Sequence, residues 1–217
     1  MDASFWQQRW ERNEIAFHTA EANPLLLKHW PALALSPGRR VFVPLCGKSL
    51  DLGWLLARGY DVAGIELSEI AVSHLFADLG VEPQITDLRK LNRYTAKHID
   101  IFQGDIFELS RGILGSVDAV YDRAALVALT ESMRPRYTAH LTSITATAPQ
   151  LLISYEYDQS KLNGPPFSVT GEEVHQHYDG AYQVTLLESV PVPGGLKGQC
   201  SATEHVWQLT QRTTSIF

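Results

Sequence analysis

The chain has 217 residues, 45% hydrophobic and 19% charged, which suits one ordinary α/β domain with a buried core. Its net charge of −6 and the lack of a Lys/Arg cluster argue against nucleic acid as a partner. No apolar run of about eighteen residues predicts a membrane span, no basic-then-apolar segment opens the chain as a secretory leader, and Cys46 and Cys200 are too few for a disulfide framework; the expectation is a reduced, cytoplasmic protein without a membrane partner.

In chain order, "SFWQQRWERNEIAFH" reads as a short helix capped by Ser4, with Trp6 and Trp10 on one face. "NPLLLKHWPAL" reads as a second helix, with Asn23 as cap and Pro24 in its first turn. Together residues 1–38 form an N-terminal helical arm on a single domain spanning 1–217. From Arg40 the pattern becomes strand, helix, strand. After Arg40, "VFVPL" is apolar throughout, as a parallel strand buried on both faces should be. Ser49 caps the helix "LDLGWLLARG", which Gly59 ends; "YDVAGIEL" is a strand, and Ser68 and Gly80 bound the helix "SEIAVSHLFADLG". The segment through "RKLNRYTAKH" is read as irregular. "IDIFQ", "VDAVYDR" and "QLLISYEY" are further strands, with "ESMRPRYTAHLTSITAT" a helix and "GEEVHQHYDG" another. "YQVTLLESVPV" and "ATEHVWQLTQ" alternate apolar and polar residues and form an antiparallel pair at the end of the chain. The alternation predicts a mostly parallel sheet with helices on both faces. That plan resembles the seven-stranded Rossmann-like methyltransferase sheet.

The turn "PLCGKS" invites a phosphate-loop reading. That motif needs Gly-x-x-x-x-Gly-Lys-Ser/Thr, and the first position here is Phe42. Pro44 lacks an N–H and breaks the amide nest a triphosphate requires. The dinucleotide fingerprint Gly-x-Gly-x-x-Gly also fails, because Lys48 and Ser49 follow Gly47. What survives is Gly47 at a strand–helix turn and Glu66 at the end of the next strand. Ligands in open α/β sheets bind beyond the strand carboxyl ends, where a carboxylate can accept from both ribose hydroxyls. An adenosine ligand without pyrophosphate fits, and S-adenosylmethionine is such a ligand. The other reading of Glu66 is a cap on the helix starting near Ser68.

"FWQQRWERNEIAFH", "VFVPLCGKSLDLGWLLARGYDVAGIELSEIAV", "QGDIFEL" and "YDRAALVAL" together resemble the thiopurine S-methyltransferase family in its shorter, bacterial form, from about Phe5 onward. The resemblance implies a class I S-adenosylmethionine-dependent enzyme that methylates the sulfur of aromatic and heterocyclic thiols by direct displacement. Members of this form are also associated with selenium and tellurium methylation. It implies that Trp10 and Leu45 meet the methionine end of the cofactor and that Glu66 binds the ribose; read physically, the turn should present the backbone of Leu45 to Gly47 to the same end, which makes Gly47 a cofactor-binding candidate. Asp105 and Ile106 would border the adenine. Arg123 would stand where cofactor and acceptor meet, as cofactor-binding, substrate-binding and catalytic residue. Phe17 and His18 would belong to a substrate-side lid. The expected partner is a small-molecule thiol, and the expected state a monomer.

Several residues keep two readings. Trp10 is either a core staple or an aromatic lid facing a sulfonium cation. Lys48 either pairs with the cofactor carboxylate or points to solvent. Cys46 has no histidine partner nearby in sequence and reads as a small packed residue. Asp105 either accepts from adenine or caps the turn after it. Arg123 either holds an anionic acceptor or makes a structural ion pair with Asp122 or a neighbour. His175 and His177 are two apart and lack the i, i+4 spacing of helical metal ligands, so no metal is expected and the helix reads as solvated. Phe167, in "NGPPFSV", is a candidate for the acceptor pocket. Methyl transfer to oxygen or nitrogen, and a non-catalytic sensor of the same cofactor, stand as alternatives.

Overall fold

The computed structural model describes residues 3–14 and 21–212. Phe17 and His18 lie outside the described residues. The strands are β1 (Arg40–Val43), β2 (Asp61–Glu66), β3 (Gln84–Asp87), β4 (Asn92–Ala96), β5 (Ile99–Gln103), β6 (Ala119–Arg123), β7 (Gln150–Tyr157), β8 (Tyr182–Pro191) and β9 (Ala202–Gln211). They form one sheet in the order β3-β4-β5-β2-β1-β6-β7-β9-β8. From β5 to β7 all neighbours are parallel, and β9 runs antiparallel to both β7 and β8.

The sheet therefore has nine strands and not seven. The seven expected strands are present, with the antiparallel pair at one side, and β3 and β4 extend the opposite edge beside β5. These two strands come from the region 84–96, part of which was read as irregular. The reason is physical: in "NRYTA" only Tyr94 is buried, so no apolar alternation marks it. The pairing is held instead by polar bonds, with Arg93 and Thr95 of β4 both donating to Asp100 on β5.

The helices are α1 (Ala3–Glu11), α2 (Pro24–His29), α3 (Leu50–Ala57), α4 (Glu69–Leu79), α5 (Arg111–Leu114), α6 (Arg134–Ile144) and α7 (Gly171–Tyr178). Alternation along the strands divides the core in two. Val41, Val43, Val62, Ile101, Tyr121 and Ile153 pack with Leu26, Leu52, Leu55 and Leu75 of α2, α3 and α4. Phe42, Ile65, Phe102, Val120 and Leu152 pack with Leu114, Tyr137, Leu141 and Tyr178 of α5, α6 and α7. Each aliphatic side chain so buried contributes about 1.5–3 kcal/mol relative to exposure.

Caps place the helix starts. Asn23 accepts from the amides of Leu25 and Leu26, Ser49 from Asp51, and Ser68 from Ala71. Gly80 ends α4 in the left-handed region at φ +68. Helix α1 begins at Ala3, so Ser4 lies within it and does not cap it. No helix among the described residues is long and apolar enough to cross a membrane.

Candidate functional site

The carboxyl ends of β1, β2, β5 and β6 open onto a common edge, where four successive turns meet. The turn after β1 carries two left-handed residues, Leu45 and Gly47, at φ +46 and +53. Leu45 is half-buried against the core, and a left-handed leucine is a strained conformation that surrounding packing must enforce. The Cys46 amide donates to the Ile65 carbonyl at 2.9 Å, clasping the turn to the end of β2.

Glu66 closes the clasp. Its Oε2 accepts from the Gly47 amide at 2.9 Å and its Oε1 from the Ser68 amide at 2.8 Å. The residue is only 7% exposed. Burial raises its pKa above the ordinary 4.5, while the amides of Ser68, Gly47 and Leu67 hold it back. Both readings of Glu66 thus meet in one side chain: it braces the start of α4, and it stands at the mouth beside the glycine turn.

Trp10 of α1 lies over this turn and is 5% exposed. A Cβ placed on Gly47 would sit 3.3 Å from the Trp10 Cζ2. The indole is therefore a roof on the glycine. Trp6 is half-buried and makes an edge contact with Phe5. Lys48 neither enters the turn nor points freely to solvent, because its Nζ pairs with Asp78 of α4 at 3.1 Å. Cys46 is buried, its thiol pushed well above 9.0 by desolvation and then by the Glu66 charge, so it is a packing group with no thiolate character.

At the end of β5, Gly104 has φ +139, and a Cβ there would meet Leu91 Cδ2 at 2.6 Å. Asp105 is exposed and accepts from the Phe107 amide at 3.0 Å, so it caps the 3₁₀ turn Ile106–Glu108. The Ile106 side chain packs into the core, and its carbonyl bonds His140 at 2.9 Å. Of the two, Asp105 is the side chain at the surface of this edge.

β6 supplies the polar centre. Arg123 is not paired with Asp122. Its Nη1 lies 3.6 Å from Oδ2 of Asp51, in the first turn of α3. Burial opposes the Arg123 charge, but Tyr121, Asp51, Tyr155 and Glu204 together outweigh it and raise the guanidinium pKa. Asp122 faces the other way. It accepts from the Tyr137 hydroxyl at 2.7 Å and the Leu126 amide at 3.1 Å. It is fully buried, and burial raises its pKa to about 6.

Phe167 is half-buried next to this end of β6. Its amide donates to the Val127 carbonyl at 2.6 Å, and the Arg134 guanidinium lies 5.9 Å from its ring. His175 pairs with Asp179 and His177 with Glu173, and His177 is nearly buried, so α7 is solvated on one side only. Among the described residues no group of three or more His, Cys, Asp or Glu is placed to hold a metal ion.

Trp10, Leu45, Gly47 and Glu66 are thus brought into one cluster, with Asp105 and Arg123 on neighbouring strand ends. Asp51, Tyr121, Tyr155 and Glu204, which surround Arg123, were not foreseen. The one available signal was Tyr121, a phenol inside an otherwise apolar strand, whose hydroxyl needed a buried partner.

A sequence model described as thiopurine S-methyltransferase (TPMT) matches residues 1–212. The chain is 56% identical to a thiopurine S-methyltransferase of Xanthobacter autotrophicus over 96% of its own length and 99% of the relative's. It is 52% identical to one from Teredinibacter turnerae over 99% and 100%. In overall fold it is similar to the 1,6-didemethyltoxoflavin-N1-methyltransferase of Burkholderia thailandensis, with a TM-score of 0.65, 16% identity, and coverage of 96% and 87%.

Proposed function

The chain belongs to the thiopurine S-methyltransferase family, and from that membership we propose that it methylates the sulfur of aromatic and heterocyclic thiols. It is an S-adenosylmethionine-dependent methyltransferase. The reading extends to selenium and tellurium species as further acceptors. The working form is a cytoplasmic monomer that acts on small molecules and engages neither nucleic acid nor membrane.

The observation that supports it best is the Glu66 carboxylate bonded to the Gly47 amide beneath Trp10. The donor set fits S-adenosylmethionine. Each Glu66 oxygen accepts one amide and retains acceptor capacity for a ribose hydroxyl. The left-handed turn at Leu45–Gly47 offers close backbone approach to an amino-acid end, and no glycine-rich amide nest suits a pyrophosphate. Asp105 stands at the next strand end as an acceptor for an adenine amino group.

Bound there, S-adenosylmethionine supplies a methyl group made electrophilic by its positive sulfur. The chain's own residues do the rest. Trp10 closes the glycine turn from water and presents an aromatic face to a cation. Arg123 offers guanidinium N–H donors that favour the thiolate form of an acceptor by charge-assisted bonds. Aromatic thiols are more acidic than a cysteine thiol, so no side chain is assigned as general base. The remaining work is alignment of acceptor with methyl.

A radiolabelled-methyl assay across thiophenols, catechols, amines, selenite and tellurite tests this. Transfer to thiophenols in preference to catechols and amines is expected. Transfer to oxygen or nitrogen alone would overturn the thiol reading, and binding without transfer to any acceptor would make the protein a sensor.

A further inference from the structure

Asp51 is 1% exposed, yet three polar groups from two distant parts of the chain converge on it. Its Oδ1 accepts from the backbone amide of Asn23 at 2.7 Å. Its Oδ2 accepts from the Tyr121 hydroxyl at 3.0 Å and lies 3.6 Å from Arg123 Nη1. Asn23 caps α2, which packs Leu25 and Leu26 into the core and so roots the N-terminal arm. Tyr121 and Arg123 are two apart on β6 and so share a face of the sheet. Asp51 itself stands in the first turn of α3, just after the Leu45–Gly47 turn.

We infer that Asp51 is a positioning residue, which holds the Arg123 guanidinium at the acceptor end of the cleft and ties it to the root of the N-terminal arm. This rests on the reading of Arg123 as the acceptor-facing group. The physical argument is one of freedom and cost. A buried carboxylate is expensive unless its partners are in place, and a buried ion pair adds little net stability. What the pair does provide is geometry. A free arginine side chain carries about 2 kcal/mol of rotamer entropy, and Asp51 removes it before a ligand arrives. Arg123 is 14% exposed, and a guanidinium has five N–H donors, so one edge can face Asp51 while others remain for an acceptor. Because the same carboxylate also holds the Asn23 amide, displacement of the arm's root disturbs Arg123 directly.

The test is a cycle of Asp51→Asn, Tyr121→Phe and Arg123→Gln, with two readouts. In the first, kcat/KM for a thiophenol should fall on the order of 100-fold in Asp51→Asn, as for a misplacement of about 1 Å. Affinity for S-adenosylhomocysteine, read by calorimetry, should stay within about threefold of the parent. Tyr121→Phe, which removes one bond and no charge, should lie between. In the Arg123→Gln background, Asp51→Asn should cost little more, because residues that act through one another are not additive. An equal cost in both backgrounds, or a parent-like Asp51→Asn, overturns the inference. The second readout needs no turnover. The Arg123 Nε–H resonance, assigned by its loss in Arg123→Gln, should be sharp in the parent and broadened or shifted in Asp51→Asn. If the parent methylates no thiol, the thiol reading fails, and an unchanged Nε–H signal still overturns the positioning role by itself.

Discussion

The carboxylate of Glu66 holds the amide of Gly47 at 2.9 Å, joining the ends of β2 and of the turn after β1. One side chain therefore shapes the turn and, in the function proposed above, would also carry the acceptor oxygens for a ribose. Replacing it should strike ligand affinity first. Glu66→Gln is expected to weaken S-adenosylhomocysteine binding by about 10- to 100-fold, the cost of losing charged hydrogen bonds of about 1.5–3 kcal/mol. Because burial raises the Glu66 pKa, affinity in the parent should decline on acidification from above pH 4.5, where the ionised form begins to be lost. The Gln variant should lack that decline. Calorimetry across pH checks both, and parent-like affinity in Glu66→Gln would remove the ribose assignment.

Gly47→Ala should cost more than its backbone strain. A left-handed φ of +53 costs an L-residue about 1–2 kcal/mol, and the new methyl also presses on Trp10 from 3.3 Å. Gly38→Ala is the control, with φ +81 and nothing within 4 Å of its methyl. Gly47→Ala should lose more stability than Gly38→Ala in denaturant unfolding, and only Gly47→Ala should lose affinity for S-adenosylhomocysteine. Equal affinities in the two would separate Trp10 and the turn from the ligand.

Arg123→Gln should lower kcat/KM for a thiophenol on the order of 100- to 1,000-fold, the range for removal of a charge-stabilising donor. S-adenosylhomocysteine affinity should change by less than about threefold. Arg123→Lys keeps a charge for Asp51 but loses the planar fork, and should recover only part of the rate. Steady-state kinetics with matched calorimetry decides; a loss of affinity as large as the loss of rate would place Arg123 with the cofactor alone.

Asp122 makes a prediction about pH and stability. Its pKa is raised from 3.8 to about 6, so the folded state favours the protonated form. The sign follows: stability from this group is greatest below the unfolded value and is lost as pH rises toward 6. At about 1.4 kcal/mol per pH unit the loss amounts to up to about 3 kcal/mol. Asp122→Asn should be free of it, so the stability difference between variant and parent should shift in the variant's favour between pH 4 and 6. Urea titrations at intervals across that range would show a constant difference if Asp122 keeps an ordinary pKa.

Cys46 should be inert. Its thiol is buried and pushed well above 9.0, so an alkylating reagent at about pH 8 should leave it unmodified in the folded protein and label it in denaturant. Mass spectrometry of the Cys46 peptide reads the outcome, and rapid native-state labelling would contradict the packing role.

The parallel centre of the sheet was legible because burial on both faces demands continuous apolar runs, and "VFV" and "AVY" are such runs. Asn23, Ser49, Ser68 and Gly80 announced helix ends because capping is local chemistry. β3 and β4 were hidden for the opposite reason: β4 is fixed to β5 through Asp100, a contact between side chains that no periodicity records, and β3, exposed throughout, pairs only with β4. The Gly47–Glu66 cluster was legible because both residues sit at strand ends. Asp51 was not, since a carboxylate in a first helical turn has a sufficient local reason to be there. Only the tertiary fold reveals that it is buried among Asn23, Tyr121 and Arg123.

The rims of the sheet have a bearing on solubility. β3, at one rim, is four residues long, exposed throughout, and ends in Asp87. β8, at the other, is ten residues long, but a bulge between Leu186 and Glu188 breaks its register and Pro191 ends it. Lys28 and His29 engage the Glu188 carboxylate beside that bulge. Neither rim presents a long, flat row of unpaired amides for a second chain to extend, so strand-to-strand aggregation is discouraged at both ends of a nine-stranded sheet.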